Sequence, residues 1–248
     1  MELLQLVKEA KTIVAFTGAG LSTESGIPDF RSSSGLYLTE DFEGLSPERI
    51  LSGRYFRANP KVFFAYYIQR IHSMSDKQPN RAHYVLQKMQ SKGKLKCVIN
   101  QNIDNLLQKA GVEHVLDLHG NISQFRCISC CKRYDTKGFE DVYSSVSDKG
   151  IPRCDCGGII RPNIVLFDEA LDDQTYDTSY YLVKECDLMI VIGSSCVVRP
   201  AATLVGEIND KAKLVIINNM KTPYDHKADL IISDKSCGEV LEGVANGL

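Results

Sequence analysis

Short apolar runs recur along the 248-residue chain and are separated by longer amphipathic stretches. Runs of this kind are typical of strands that are buried on both faces of a parallel sheet. They predict strands at residues 13–16, 97–99, 115–118, 188–192, 214–217 and 230–232. The stretches between them predict helices at residues 81–92, 103–110, 201–209 and 239–244. Strands that alternate with helices predict an α/β fold, here a Rossmann-like parallel sheet.

Two polar stretches interrupt this alternation. The first, residues 32–77, contains Asn59-Pro60, a typical helix start, followed by aromatic residues at helical spacing, and predicts a helix over residues 60–74. The second, residues 121–160, carries two close pairs of cysteines. We therefore expect a larger domain made of residues 1–31, 78–120 and 161–248, with a helical insertion and a metal-binding insertion that together form a smaller domain.

Composition and charge narrow the class of protein. The chain is 44% hydrophobic and 24% charged, with a net charge of −2 and no basic block. These values are typical of a globular protein and give no support for a nucleic-acid partner. No apolar run approaches the ~20 residues of a membrane span, and the N-terminus lacks the pattern of a signal peptide. Nine cysteines, with no regular framework, indicate a reducing compartment, so we expect a cytoplasmic protein without a membrane partner.

The cysteine pairs predict a structural zinc site. Cys127-x-x-Cys130 and Cys154-x-Cys156 resemble the two knuckles of a zinc ribbon, although the second pair is one residue shorter than usual. Cys131, next to Cys130, is an alternative ligand. Because four thiolates leave no open coordination position, the metal would have a structural role.

A glycine-rich loop follows the first predicted strand. Gly18-Ala19-Gly20 lets the backbone turn tightly and approach a phosphate group. A dehydrogenase would continue with a second strand and an acidic ribose ligand about 20 residues on. Glu40 has this spacing, but residues 24–44 contain no apolar run that could form the strand. By itself the loop is therefore either a phosphate-binding loop of another kind or an ordinary glycine-rich turn.

Polar residues follow four further strands at the points where these end. They are Gln101-Asn102-Ile103-Asp104, His119, Gly193-Ser194-Ser195 and Asn218-Asn219. Since the carboxyl ends of parallel strands meet at one edge of the sheet, we expect these groups to surround a bound ligand. His119 is the candidate acid–base group among them.

Several strings resemble the motifs of one family, the sirtuins, which are NAD-dependent protein-lysine deacylases. GAGLSTESGIPDFR at residues 18–31 resembles their signature, QNID at 101–104 their nicotinamide motif, and LHGN at 118–121 their catalytic motif. The resemblance extends from residue 12 to about 240 with the motifs in the family's order. It departs at Asn105 and Leu107, where relatives usually have Gly and His, and at Asp168, where they usually have Gly.

The resemblance implies a site and two bound groups, NAD and a structural zinc. His119 would act as general base, with Asn102 and Asp104 as catalytic partners. The implied NAD-binding residues are Gly18, Ala19, Gly20, Thr23, Asp29, Phe30, Arg31, Gln101, Asn102, Ile103, Asp104, Gly193, Ser194, Ser195, Asn218, Asn219 and Cys237. Val165 and Phe167 lie in a segment that would pair with an acetylated-lysine peptide by strand addition.

The implied reaction is removal of acetyl groups from protein lysines, giving nicotinamide, O-acetyl-ADP-ribose and free lysine. An NAD-dependent ADP-ribosyltransferase and a binding protein without turnover are the alternatives. A desuccinylase is a third, because Tyr67 and Arg70 lie three apart on the predicted helix, share a face, and resemble a pair that binds succinyl-lysine. We expect acetyl-lysine to be the better substrate.

Overall fold

The computed structural model describes residues 2–29, 42, 44–145 and 150–248. The strands are β1 Ile13–Thr17, β2 Leu95–Asn100, β3 Val115–Asp117, β4 Gly120–Cys127, β5 Arg133–Asp135, β6 Ile160–Ile164, β7 Leu188–Ile192, β8 Lys213–Ile217 and β9 Leu230–Ile232. The α-helices are α1 Glu2–Glu9, α2 Pro47–Ile50, α3 Gly53–Ala58, α4 Pro60–Tyr66, α5 Arg81–Ser91, α6 Leu106–Lys109, α7 Thr136–Ser145, α8 Asp173–Glu185, α9 Thr203–Gly206 and α10 Cys237–Ala245. None of the helices in these ranges has the length and apolarity needed to cross a membrane.

Six strands form one parallel sheet in the order β3-β2-β1-β7-β8-β9. All six are strands that the sequence predicts, so the expected α/β fold is confirmed. The chain builds outward from β1 through β2 and β3 on one side, and through β7, β8 and β9 on the other. The order reverses between β1 and β7, which is the position where open α/β sheets bind their ligands.

Helices cover both faces of this sheet. Within β1, Ile13 and Ala15 pack in one apolar cluster with α1, α5 and α10, while Val14 and Phe16 pack in another with residues of α8 and α9. Successive side chains of a strand point to opposite faces, so a continuous apolar run is required when both faces are buried. This explains why the strands show no polar alternation.

A second, antiparallel sheet lies outside the first, in the order β5-β4-β6. Its core is aromatic and is shared with the helices of residues 47–76; it contains Phe56, Phe63, Phe64, Tyr66, Tyr67, Phe125 and Phe139. The two polar insertions of the sequence therefore pack on each other. Strand β6 runs past residue 160, so this sheet extends beyond the predicted edge of the second insertion.

Two predicted helices are shorter than the sequence suggests. The helix expected at 103–110 is α6, since Asn105 adopts a left-handed conformation with φ 65° and interrupts any earlier start. The side chain of Asp104 accepts a hydrogen bond from Leu106 N at 2.9 Å and so caps the helix. The helix expected at 201–209 contracts to α9. The sequence did not predict helix α8. Its N-cap is Asp172, whose side chain accepts a hydrogen bond from Thr175 N at 2.9 Å.

The expectation that Tyr67 and Arg70 share a helix face is wrong. Helix α4 ends at Tyr66, and Tyr67–Ile71 continues as a π-helical turn, which changes the spacing of side chains. Tyr67 is 0% exposed and packs edge-on against Phe125 and Phe139, whereas Arg70 is exposed. The two side chains therefore do not form one carboxylate-binding pair.

The first turn of α5 holds a buried histidine. Asn80 caps the helix, and His83 Nδ1 accepts a hydrogen bond from Asn80 N at 3.3 Å to complete a capping box. Burial lowers the pKa of His83 from 6.5 to about 4. The unfolded chain therefore takes up a proton on this ring near pH 6.5, whereas the folded chain does so only near pH 4. The resulting loss of stability develops as the pH falls through this window.

We predict that His83→Gln reduces the acid sensitivity of folding. Glutamine keeps the capping box but has no proton to gain, so the drop in unfolding free energy between pH 7 and pH 5 should shrink by about 1–2 kcal/mol. Urea unfolding at both pH values gives the difference. His114→Gln, at an exposed histidine, is the control and should leave the wild-type dependence in place. An equal reduction in both variants would contradict the assignment to His83.

Candidate active site

Two loops cross at the reversal point of the sheet. Gly18 N donates to Ile192 O at 3.0 Å, and Gly20 N donates to Gly193 O at 2.8 Å. A Cβ atom on Gly20 would lie 2.7 Å from Gly193 Cα, and one on Gly18 would lie 2.8 Å from Gly193 O. Both positions need glycine because the backbones touch. The loop after β1 is thereby fixed against the loop after β7.

The turn after β2 attaches to the glycine loop through buried side chains. Asn102 Nδ2 donates to Gly18 O at 2.9 Å and to Ser22 Oγ at 3.2 Å. Ser22 Oγ donates in turn to Asp104 Oδ2 at 2.6 Å. Burial raises the pKa of Asp104, and the hydrogen bonds from Ser22 and Leu106 N oppose that change. The sequence did not single out Ser22, because a serine in a glycine-rich turn carries no distinctive pattern.

Gln101 connects three strand ends. Its Nε2 donates to Thr17 O at 3.2 Å and to Ser194 Oγ at 2.7 Å. Its backbone oxygen lies 2.8 Å from His119 Nδ1. The ends of β1, β2, β3 and β7 therefore meet around one glutamine, as expected for the carboxyl edge of a parallel sheet.

The contact with Gln101 fixes the tautomer of His119. A carbonyl oxygen only accepts hydrogen bonds, so Nδ1 carries the ring hydrogen and Nε2 presents a lone pair. Burial lowers the pKa of His119, against a smaller opposing effect of the Gln101 carbonyl. The ring is therefore neutral at neutral pH, which is the state that a general base requires.

A network of side-chain amides supports this histidine. Asn100, which is 1% exposed, accepts from Asn102 N at 3.1 Å and donates to Asn102 O at 2.7 Å, so it holds both backbone groups of the residue that follows Gln101. Asn100 Nδ2 also donates to Asp117 Oδ1 at 2.8 Å. Gln108 and Asn121 donate to the other oxygen of Asp117 at 2.7 and 3.1 Å. The network joins the turn after β2 to the strand that leads to His119.

Two cavities meet at His119. One, of about 210 Å³, has mostly apolar walls that include Ile27, Met74, Leu166 and Val198. The other, of about 100 Å³, lies over the crossing glycine loops. Both are lined by Ala19, Gln101, Asn102, His119 and Val198. His119 thus faces a polar and an apolar compartment at once.

Most of the predicted NAD-binding residues line these cavities. The polar cavity is lined by Gly18, Ala19, Gly20, Asp29, Gln101, Asn102, Gly193, Ser194, Ser195 and Asn218. Ile103, Asp104, Val165 and Phe167 line the apolar cavity, where Val165 N donates to His119 O at 2.8 Å. Met220 and Pro28 also line the cavities, and the sequence did not identify them.

Five of the predicted NAD-binding residues are not among those that line the two cavities, so their contact with NAD stays a prediction. Thr23, Asn219 and Cys237 do not line either cavity. Thr23 Oγ1 donates to Gly20 O at 3.0 Å, and Cys237 packs against the apolar core at the start of α10. Phe30 and Arg31 lie outside the described residues.

The four predicted zinc ligands form a cluster. The Sγ atoms of Cys127, Cys130, Cys154 and Cys156 all lie within 4.8 Å of one another, with Cys127 and Cys156 at 3.5 Å and Cys130 and Cys154 at 3.6 Å. Four sulfur atoms that share one tetrahedral zinc would lie ~3.8 Å apart, so the cluster fits this ion. Cys131 is not part of the cluster, and its backbone is left-handed with φ 60°.

Two glycines allow the short second knuckle. Gly157 has φ 85°, and Gly157 N donates to Cys154 O at 2.8 Å, which closes a tight turn. A Cβ atom on Gly158 would lie 2.6 Å from Cys127 Sγ. The chain can therefore bring Cys154 and Cys156 to the metal position with only one residue between them.

Comparison with known proteins agrees with this architecture. The model of the Sir2 family matches residues 18–200. An NAD-dependent protein deacetylase from Clostridium acetobutylicum is 45% identical over 98% of this chain and 96% of its own length. An NAD-dependent protein deacetylase from Saccharolobus solfataricus is 41% identical over 97% of this chain and 94% of its own length.

Solved structures give the same result. A Sir2 complex with a p53 peptide and NAD⁺ has a TM-score of 0.86 at 38% identity, covering 99% of this chain and 96% of its own. A Sir2 complex with a deacetylated p53 peptide and 3'-O-acetyl ADP-ribose has a TM-score of 0.88 at 37% identity. The match covers 100% of this chain and 98% of the chain in that structure. The chain belongs to the Sir2 family, the sirtuins.

We predict one zinc ion per chain, bound by the four clustered cysteines. Metal analysis of protein purified without added zinc should give one equivalent for the wild type and much less for Cys156→Ser, since three thiolates remain. Cys131→Ser is the matched control at a neighbouring exposed thiol and should keep the full equivalent. Loss of zinc from the control with retention in Cys156→Ser would reverse the ligand assignment.

Proposed function

We propose that this chain is an NAD-dependent protein deacetylase that releases nicotinamide, O-acetyl-ADP-ribose and free lysine. The observation that carries the proposal is the position of His119, with its basic nitrogen free at the junction of a polar and an apolar cavity. The named deacetylase relatives and the sirtuin complexes with peptide and NAD⁺ support it.

The polar cavity suits the dinucleotide. Its floor is the crossing of Gly18–Gly20 with Gly193, and Ser194, Ser195 and Asn218 supply polar groups around it. Because Gly18 N and Gly20 N already donate within the crossing, the hydroxyl groups of Ser194 and Ser195 are the donors that would face the phosphate oxygens. Asn102 and Asp104 would hold the carboxamide of nicotinamide, and the hydrogen bonds of Ser22 to both side chains support a fixed arrangement of the two. When bound, NAD would supply a ribose carbon as electrophile and nicotinamide as leaving group.

His119 would act on a ribose hydroxyl. With Nδ1 held by the Gln101 carbonyl, Nε2 can accept the hydroxyl proton, and the resulting imidazolium is stabilised by that same carbonyl. Asn100 would keep the His119 ring aligned with the Gln101 carbonyl. Its side chain binds the backbone of Asn102, next to Gln101, and the carboxylate of Asp117, two residues before His119.

The apolar cavity suits an acyl-lysine side chain. Its wall includes Val165 and Phe167, whose backbone belongs to the segment after β6. An acetylated peptide would add along this segment as an extended strand, with the aliphatic part of the lysine in the cavity. His119 would then face the acyl group from one side and the ribose from the other.

The remaining expectations belong to the same proposal. Residues 1–31, 78–120 and 161–248 would form the NAD-binding domain, and residues 32–77 and 121–160 the smaller domain; the aromatic side chains of the second core, which all come from the two insertions, support this division. The zinc would be structural, holding the knuckles of the small sheet together. We place the protein in the cytoplasm, since none of its nine cysteines forms a disulfide bond.

We predict that His119→Ala lowers the rate of deacetylation by about 10²–10⁴-fold, because the general base is removed, while NAD binding is retained. Mass spectrometry of an acetylated peptide incubated with NAD measures the rate, and calorimetry measures NAD binding. His114→Ala, at an exposed histidine, is the matched control and should remain active. Activity of His119→Ala within a few-fold of wild type would contradict the assignment. Transfer of ADP-ribose to the peptide would instead identify a transferase.

A pH profile provides an independent check of the same residue. Because the pKa of His119 is lowered, the ring stays neutral at pH values below the ordinary imidazole value of about 6.5. The acid limb of kcat/KM should therefore lie below pH 6.5. An acid limb clearly above this value would mean that His119 is not the group that must be deprotonated.

We predict that acetyl-lysine peptides are better substrates than succinyl-lysine peptides, by about tenfold or more in kcat/KM. A succinyl carboxylate would enter a cavity whose wall includes Asp104, Asp168 and Glu169, and neither Tyr67 nor Arg70 lines it. Matched peptides give the ratio. Arg70→Met should leave it unchanged, whereas Arg199→Met tests the one arginine among the described lining residues. A succinyl preference that Arg70→Met reverses would show the expectation to be wrong.

A further inference from the structure

The segment after β6, residues 165–169, is fixed to several separate parts of the molecule. At its start, Val165 N donates to the backbone oxygen of His119 at 2.8 Å. At its end, Glu169 forms a bidentate ion pair with the buried Arg161, at 2.6 and 3.0 Å, and accepts from Leu166 N at 3.0 Å. This segment lines the apolar cavity, so its position determines the shape of that wall.

The middle of the segment is hydrogen-bonded to the first insertion. Phe167 N donates to Leu51 O at 2.9 Å, and Gly53 N donates to Phe167 O at 2.9 Å. These bonds form an isolated parallel bridge between Ser52 and Phe167. The helices of residues 47–76 and the wall of the cavity are thereby connected through backbone atoms.

Asp168 adds a second connection through its side chain. Its Oδ1 accepts from Gly53 N at 3.0 Å, and its Oδ2 accepts from Arg54 N at 3.2 Å. The residue has φ 70°, a conformation that favours glycine and that aspartate also tolerates. A glycine would fit this backbone but would leave both N–H groups of the insertion without the carboxylate. The aspartate therefore supplies contacts that the backbone alone does not.

The same helix has a second, independent cap. Ser52 Oγ accepts from Tyr55 N at 3.2 Å, so the first turn of α3 is satisfied partly by Ser52 and partly by Asp168. Ser52 Oγ makes no contact with residues 165–169 among the hydrogen bonds of the described chain; its other bond is to Arg49 O. Capping of α3 and attachment of the cavity wall can therefore be separated by mutation.

We propose that Asp168 is a positioning residue that holds the substrate-facing segment against the helical insertion and so sets the affinity for the acyl-lysine peptide. The inference rests on the proposed function, in which the peptide adds along this segment. A segment that is ordered before the peptide binds does not have to lose its freedom on binding, which improves affinity. Asp168 takes no part in the chemistry at His119, so the turnover number should not depend on it.

Asp168→Gly tests the proposal, because glycine accepts the left-handed backbone and removes only the carboxylate. We expect the Kd of an acetylated peptide, measured by calorimetry, and its KM to rise about five- to tenfold, with kcat and the KM for NAD within about twofold of wild type. Asp168→Asn keeps one acceptor oxygen and should give an intermediate rise. Amide hydrogen exchange in residues 163–170 should be faster in Asp168→Gly.

Ser52→Ala is the matched control, since it uncaps α3 and leaves the segment attached. It should keep the wild-type peptide affinity and the wild-type exchange in residues 163–170, even where thermal stability falls. An equal loss of peptide affinity in Ser52→Ala and Asp168→Gly would overturn the proposal in favour of simple helix capping. Unchanged affinity in Asp168→Gly would also overturn it. Absence of NAD-dependent deacetylation by the wild-type protein would instead refute the proposed function. Amide hydrogen exchange in Asp168→Gly and Ser52→Ala would still show whether Asp168 holds residues 165–169 against the helical insertion.

Discussion

The contact between two strand-end loops is the constraint on which the site depends. The loop after β1 touches the loop after β7, with Gly20 N and Gly193 O 2.8 Å apart and no room for a Cβ atom on either glycine. The contact exists because the sheet reverses its order between these two strands. Gln101 and Asn102 attach to this crossing from the next strand, and His119 attaches to Gln101. A shift of the crossing would therefore move every polar group of the site.

The polar groups at this edge are buried, and the structure satisfies them almost entirely with one another. Asn100 makes four side-chain hydrogen bonds, to Thr17, Asn102 and Asp117, and the carboxylate of Asp117 accepts from three amides. A buried polar network of this kind is costly when incomplete and rigid when complete. Rigidity would serve the role that we propose for His119, because a general base needs one tautomer and one orientation. The departure at Asn105 also belongs to this network, since its side chain accepts from Asn121 at 3.1 Å.

The second sheet and the first insertion form one lobe around an aromatic core, and residues 165–169 join that lobe to the edge of the large sheet that carries His119. One side of the proposed substrate site is thus built on the lobe and the other on the large sheet. The zinc-binding knuckles lie at the far ends of the small sheet's strands, where Cys127 ends β4. The metal site is in this way linked to the substrate wall through strands β4 and β6.

Local sequence determined the parts of this protein that depend on neighbours along the chain. Continuous apolar runs are needed wherever a strand is buried on both faces, so all strands of the large sheet were predictable, and the glycine loop, the strand-end groups and the cysteine pairs followed from spacing. Tertiary structure alone decided what depends on residues distant in sequence. The antiparallel sheet escaped prediction because polar residues interrupt the apolar ones in its strands, and because β4 and β6 pair with each other across the metal insertion. The roles of Ser22, Asn100 and Asp168 were equally invisible, since each is defined by partners 80, 17 and 115 residues away. Hydrogen bonds between such distant groups form only after the chain has packed, so no local pattern encodes them.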